Sequence, residues 1–217
     1  MPTLLLEIDL SGRHVLLVGL GKVGYRRFMM LQEAGALIRA VDPVGFDRIG
    51  SEAGILPGEL LREFYEVSHL TDVEMVFAAA PSEVNQRVVE DAKRLNLWVN
   101  SASDPQAGNL RIPAIWREGE FQLGVTTGGA SPGLAARART HAAGILGPAY
   151  GALAKVLADL RPLVQARIED PLTRARLFRG WSDASWLHRV EHHGAEAVHR
   201  ALIRELEGLE AGRQGLR

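Results

Sequence analysis

Three glycines, Gly19, Gly21 and Gly24, stand at G-x-G-x-x-G spacing, and an acid, Asp42, follows 18 residues after the last of them. That pattern can do dinucleotide chemistry, because each glycine has its own task. Gly19 permits a tight turn. Gly21 lets the main chain approach a pyrophosphate, and Gly24 lets a helix pack closely on a strand. The helix that opens after the turn offers unpaired N–H groups and a positive dipole end to phosphates. Asp42 can accept hydrogen bonds from a ribose hydroxyl and would repel a 2′-phosphate, which favours NAD over NADP. Glycines this close together also mark ordinary turns, so a βαβ unit without a ligand is the competing reading.

The elements around the turn must position these groups. His14–Val18 is an apolar run that reads as a buried parallel strand. Tyr25–Ala34 has helical character, and Leu37–Val41 reads as a second strand that delivers Asp42 at its end. Leu4–Ile8 reads as a short edge strand, with a turn at Leu10–Arg13. A helix is predicted near Asp47–Ala53, a third strand at Glu63–Val67 and a fourth at Val73–Ala80. Ser82 is a plausible N-cap for a helix over Glu83–Leu95, and Leu97–Asn100 is a fifth strand. Strands alternating with helices predict a doubly wound parallel sheet. Ligands of such sheets lie outside the carboxyl ends of the strands, where Asp42, Ala80 and the segment Asn100–Asp104 fall. After Asp104 the pattern changes. Leu110–Trp116 and Phe121–Thr126 predict a hairpin turning at Arg117–Glu120. A helix over Gly133–Ala143 follows, and from Pro148 onward the chain reads as all helix, with Tyr150–Arg167 amphipathic. Asp183–Leu209 gives one or two more helices, and Ala211–Arg217 a frayed tail.

Composition narrows the field. The 217 residues suffice for one large or two small domains, and a 47% hydrophobic content supports a sizeable core. The net charge of −1 gives no reason to expect a nucleic-acid partner. The absence of cysteine excludes a disulfide framework, a thiolate metal site and a cysteine nucleophile, and fits a reducing cytoplasm. Met1–Asp9 lacks a basic stretch and carries Glu7 and Asp9, so no signal peptide is expected. No apolar run approaches about 18 residues, so no membrane helix is expected either.

Further motifs extend the pattern: Glu33-Ala34-Gly35-Ala36, Val84-Asn85-Gln86-Arg87-Val88, Val99-Asn100, Ile112-Pro113-Ala114-Ile115 and Thr127-Gly128-Gly129-Ala130-Ser131-Pro132-Gly133-Leu134-Ala135. Together with the glycine turn they resemble the precorrin-2 dehydrogenase / sirohydrochlorin ferrochelatase family of siroheme synthesis, over nearly the whole chain. The resemblance implies a homodimer with an NAD-binding Rossmann-like domain at 1–112, a dimerisation region at 113–147 containing a β-hairpin and a helix, and an all-helical domain at 148–217. It implies NAD⁺-dependent oxidation of precorrin-2 to sirohydrochlorin, and in some members insertion of Fe²⁺. By position, Lys22 and Val23 join Asp42, Pro43 and Val44 at the dinucleotide, and Thr127 falls in the substrate cleft. The N–H groups of Thr127 to Ala130, ahead of a helix, suit an anionic group. Asn100, Gly128, Gly129 and Ser131 complete the expected substrate set. The alternative is an ordinary serine or threonine cap before Pro132.

One departure stands out. The family's aspartate after the fifth strand, implicated as proton acceptor and in metal insertion, aligns with Ser103. Either the adjacent Asp104 takes the catalytic role, or the acid is lost and Asp104 is a turn residue before Pro105. A serine is a poor base near neutral pH without a partner. Ala79 and Ala80 stand where threonine and aspartate are common. These departures keep open a same-fold chelatase or tetrapyrrole carrier and a non-catalytic dinucleotide or haem sensor. His188 and His192 have i, i+4 spacing with His193 beside them, which suits either a metal or a solvated helix face. His141 faces either the cleft or an interface. Trp181 and Trp186 are expected to pack the last helices, and Arg174, Arg176 and Arg179 either reach carboxylates or form a solvated face.

Overall fold

The computed structural model describes residues 3–44 and 58–214, and the chain divides into two compact units, Met1–Ile112 and Pro113–Arg217. The first unit is a five-stranded parallel sheet in the order β3-β2-β1-β4-β5. Its strands are β1 (His14–Val18), β2 (Leu37–Val41), β3 (Gly58–Leu61), β4 (Met75–Ala78) and β5 (Trp98–Ser101), with helices α1 (Lys22–Glu33) and α2 (Ser82–Arg94). Strand order reverses direction between β1 and β4, which creates the crevice where ligands bind in sheets of this kind.

The central strand explains the layering. Successive residues of a strand point to opposite faces. Val15 and Leu17 enter one core with Phe28 and Leu31 of α1, while Leu16 and Val18 enter another with Val88 and Ala92 of α2. All four strand residues are at most 2% exposed, so the sheet is covered on both faces. Full burial of a side chain of this kind contributes about 1.5–3 kcal/mol.

The second unit begins with the antiparallel pair β6 (Ala114–Glu118) and β7 (Phe121–Val125), which turns at Gly119-Glu120. Four helices and a preceding one follow in chain order: α3 (Pro132–Leu146), then α4 (Ala149–Arg167), α5 (Pro171–Trp181), α6 (Ala184–His193) and α7 (Ala195–Gln214). Leu153, Val156, Leu160 and Val164 recur along one face of α4 and pack with Trp181, Trp186, Leu202 and Leu206. The Trp181 indole also donates to Glu205 Oε1 at 3.1 Å. Serine and aspartate caps open three of these helices: Ser131, Asp170 and Asp183 each accept main-chain N–H bonds, and proline follows the first two at the first helical position.

Several expectations need correction. Leu4–Ile8 is not a strand. Among the described residues no strand pairs with it, and its four apolar side chains are 50–78% exposed. Glu63–Val67 is not a strand either. The β2–β3 ladder ends at the pair Val41–Leu61, and the chain then leaves the sheet before a 3-10 turn at Val67–Leu70. Ser82 is not a cap. It is the first residue of α2, whose cap position is Pro81, and no side chain caps this helix. The first hairpin strand starts at Ala114 rather than Leu110, whose N–H goes instead to the Val99 carbonyl at 3.0 Å. Arg117 and Glu118 lie in that strand and not in the turn. The last helix continues through Ala211 to Gln214, while residues 215–217 and the helix expected near Asp47–Ala53 lie outside the described residues.

Candidate dinucleotide site

The three glycines are enforced by their surroundings in different ways. Gly19 has φ +92°, and a Cβ there would lie 2.6 Å from main-chain atoms of Ala79 and Ala80. A Cβ on Gly24 would lie 1.8 Å from the Gly19 carbonyl oxygen, so α1 can cross the turn only because this residue has no side chain. Gly21 is the opposite case, with nothing among the described residues within 4 Å of its would-be Cβ. Open space at that position suits an approaching ligand. Gly21 is also the cap residue of α1, it has no side chain with which to cap the helix, and the first turn carries no acid. The helix therefore keeps its first N–H groups and its positive end for an external anion.

Asp42 closes the turn from the other side. Its Oδ2 accepts the Leu20 N–H at 2.6 Å, and its Oδ1 accepts the Val44 N–H at 2.7 Å. The carboxylate thus ties the glycine turn to the end of β2. A carboxylate oxygen can accept from more than one donor, a ribose hydroxyl among them.

A cavity of about 420 Å³ opens here, lined by Gly19, Gly21, Asp42, Pro43 and Val44 from the expected set. Lys22 and Val23 are exposed at the start of α1 outside this lining, and Gly24 is buried beneath it. Phe64, Tyr65, Pro81 and Val84 also line the cavity. Sequence reasoning missed them as site residues. Phe64 and Tyr65 lay inside a segment read as strand, and only the ladder's end at Leu61 turns them toward the cavity rim.

The loop after β5 carries the residues in question for catalysis. Asn85 is 1% exposed, and its amide brackets Ala80: Oδ1 accepts the Ala80 N–H at 2.9 Å and Nδ2 donates to the Ala80 carbonyl at 2.8 Å. Nδ2 also donates to Ser103 Oγ at 3.0 Å, and Ser101 Oγ lies 3.4 Å from the same oxygen. Ser103 is therefore fastened to α2. Asp104 is exposed, and its Oδ1 accepts the Gln106 N–H at 2.9 Å, an Asx turn around Pro105. Asn100 points inward: it is 5% exposed and donates to the Leu110 carbonyl at 3.0 Å.

In the second unit, the segment 127–131 forms a closed loop. Thr127 Oγ1 accepts the Ser131 N–H at 2.9 Å and donates to the Ser131 carbonyl at 3.1 Å. Gly128 and Gly129 have φ of +65° and +92°, which only glycine adopts freely. Ser131 Oγ caps α3 through Leu134 N–H at 3.2 Å. The His188 and His192 rings stack at 3.9 Å, yet the described residues contain no cluster of three potential ligands suited to a metal. Arg174 is engaged by the carbonyls of Ile168 and Glu169, and His141 is exposed on α3.

A reversing parallel sheet, an uncapped helix behind a glycine turn and an acid at the end of β2 define a dinucleotide-binding protein of the doubly wound class. The chain belongs to the "Putative NAD(P)-binding" family, whose model matches residues 6–114. It is similar to the siroheme synthase of Nitrosospira multiformis, with 31% identity over 92% of this chain and 43% of the relative. It is also similar to the siroheme synthase of Psychrobacter arcticus, with 32% identity over 82% of this chain and 32% of the relative. The chain thus spans less than half the length of these curated relatives. Its fold matches that of a solved structure described as SirC, precorrin-2 dehydrogenase, with a TM-score of 0.76 and 23% identity over 95% of this chain and 100% of the other. Among the described residues, no helix is long and apolar enough to cross a membrane.

Proposed function

We propose that this chain is an NAD-dependent dehydrogenase that oxidises precorrin-2 to sirohydrochlorin. The observation that carries the reading is the open, uncapped glycine turn with Asp42 beside it, in a chain similar along 92% of its length to a siroheme synthase. The nicotinamide ring, when bound, accepts a hydride from the substrate. The protein's own work is positioning and proton removal. Gly21 and the first N–H groups of α1 hold the pyrophosphate, together with Gly19, Lys22, Val23 and Gly24. Asp42, Pro43 and Val44 hold the adenosine ribose. Asp42 disfavours a 2′-phosphate, which selects NAD over NADP.

Oxidation by hydride loss also releases a proton. Asp104 is the acceptor in this reading, because it is an exposed acid that directly follows Ser103 in the sequence. Asn100, Thr127, Gly128, Gly129 and Ser131 contribute to the site for the carboxylate-rich tetrapyrrole. The reaction belongs to a reducing cytoplasm. The region 113–147 pairs two copies of the chain, as supported by the apolar side chains Leu134 and Ile145, 59% and 70% exposed on α3. Sedimentation analysis tests that pairing, and a monomer at micromolar concentration overturns it.

The direct test of the activity incubates the chain with precorrin-2 and NAD⁺ and follows the absorbance of sirohydrochlorin. NAD⁺ binding without turnover overturns the dehydrogenase. The Ser103 departure favours one second reading, a same-fold chelatase or carrier of tetrapyrroles. Its signature is consumption of sirohydrochlorin and Fe²⁺ without NAD⁺. Binding without either activity marks a dinucleotide or haem sensor.

A further inference from the structure

The cavity beside the glycine turn has an apolar rim that the phosphate contacts leave unused. Phe64 is 78% exposed and Val44 is 74% exposed, and both line the cavity, with Pro81 between the sheet and α2 also contributing. A lone exposed aromatic needs no explanation. Three apolar groups around one concave opening do.

Phe64 is held in this position by its neighbour. Tyr65 is 6% exposed, sits in the core on the α2 side of the sheet, and donates its hydroxyl to Asp91 Oδ2 at 3.2 Å. The Glu66 N–H is fixed in turn by His69 Nδ1 at 3.0 Å. The chain on the carboxyl side of Phe64 is therefore anchored, and the ring projects the other way, over the cavity. The cavity also has a direction. Gly21 marks its phosphate end and Asp42 its ribose position, so the base of the nucleotide lies beyond Asp42, toward Val44 and Phe64.

We infer that Phe64 stacks on the adenine ring of the dinucleotide and sets the affinity for the adenosine half. This inference rests on the NAD reading above. Among the described residues, the lining side chains at that end of the cavity offer faces rather than hydrogen-bonding edges. The two polar side chains among the described lining residues are engaged elsewhere, Asp42 with the N–H groups of Leu20 and Val44, and Tyr65 with Asp91. A purine is therefore gripped through its π-face, and an aromatic partner is the strongest available. The volume of about 420 Å³ agrees. It lies near the lower end of the roughly 300–1,000 Å³ typical of ligand sites, which suits one nucleoside half.

The experiment titrates the wild-type chain and the variants Phe64→Ala and Phe64→Trp with ADP-ribose and NAD⁺ by calorimetry, with thermal unfolding of each ligand-free protein alongside. The expected result is a loss of roughly 5- to 100-fold in affinity for both ligands on Phe64→Ala, from the usual strength of base–aromatic stacking. Phe64→Trp keeps affinity within about threefold, since a larger aromatic face still stacks. Neither variant shifts the ligand-free melting temperature, because the side chain is exposed. Unchanged affinity for ADP-ribose in Phe64→Ala, with wild-type binding intact, overturns the stacking role alone. Equal losses in the alanine and tryptophan variants also overturn it. Failure of the wild type to bind either ligand sinks the NAD reading itself.

Discussion

Asp42 Oδ2 lies 2.6 Å from the Leu20 nitrogen, so the acid at the end of β2 holds the glycine turn in place before any ligand arrives. A charge-assisted bond of this kind is stronger than a neutral one. In the proposed function the carboxylate has two tasks, shaping the turn and receiving the ribose. Asp42→Ala should therefore lower stability by about 1–3 kcal/mol, because the Leu20 and Val44 N–H groups lose their acceptor. It should weaken NAD⁺ by more than tenfold and narrow the preference over NADP⁺. Chemical denaturation and paired titrations with the two dinucleotides measure both effects. A stable variant with unchanged discrimination would contradict the double role.

Gly21 and Gly24 should fail differently when each is replaced by alanine. A Cβ on Gly24 has no room beside the Gly19 carbonyl, so the variant should unfold at lower temperature and lose NAD⁺ binding with it. A Cβ on Gly21 meets no atom of the described residues within 4 Å. That variant should keep its melting temperature within a few degrees and still bind NAD⁺ poorly, because the methyl occupies the pyrophosphate approach. Circular dichroism melts and dinucleotide titrations on the pair separate the two outcomes.

Asn85 is the fastening between the turn after β4 and the loop after β5. Asn85→Ala leaves the Ala80 N–H and C=O without this partner and releases Ser103, at a cost of about 1–3 kcal/mol. Turnover should fall more than NAD⁺ affinity, since the loop carrying Ser103 and Asp104 loses its anchor while the glycine turn does not. Asp104→Asn should reduce turnover and leave both stability and NAD⁺ affinity unchanged. Steady-state kinetics with a parallel binding measurement tests both variants.

Tyr65 gives a pH dependence with a definite sign. Burial, and then the neighbouring Asp91 carboxylate and its hydrogen bond, raise the phenol above its ordinary value of 10.0. The folded state thus favours the neutral phenol over the unfolded state. Its contribution is fully present below about pH 10 and is lost as pH rises above that. Wild-type stability should fall between about pH 10 and 11.5 more steeply than that of Tyr65→Phe. At pH 7 the variant should be less stable by about 1 kcal/mol, the usual worth of one hydrogen bond. Parallel slopes for the two proteins would overturn the assignment.

Much of the first unit could be read in advance, for identifiable reasons. His14–Val18 and Leu37–Val41 are mostly apolar runs closed by turns, so their ends are visible in composition, and both strands have those bounds. The glycine spacing carries its own geometry. Other features depend on partners distant in sequence. Leu4–Ile8 has strand-like residues and no strand to pair with. Glu63–Val67 looks apolar enough for a strand, but its ladder has already ended at Leu61. The bond from Leu20 to Asp42 spans 22 residues, and no periodicity announces it. Asn85 reads as a helix residue, and only the packing of α2 against the sheet turns its amide toward Ala80 and Ser103.

The empty cap at Gly21 sets two selective pressures against each other. Serine or aspartate at a helix cap typically stabilises by about 1 kcal/mol, and the open space around Gly21 would accept either side chain. That same side chain would claim the N–H groups that a phosphate needs, and aspartate would add a repelling charge. A laboratory selection for heat resistance alone should therefore drift toward Gly21→Ser or Gly21→Asp and return sturdier proteins with no grip on the dinucleotide.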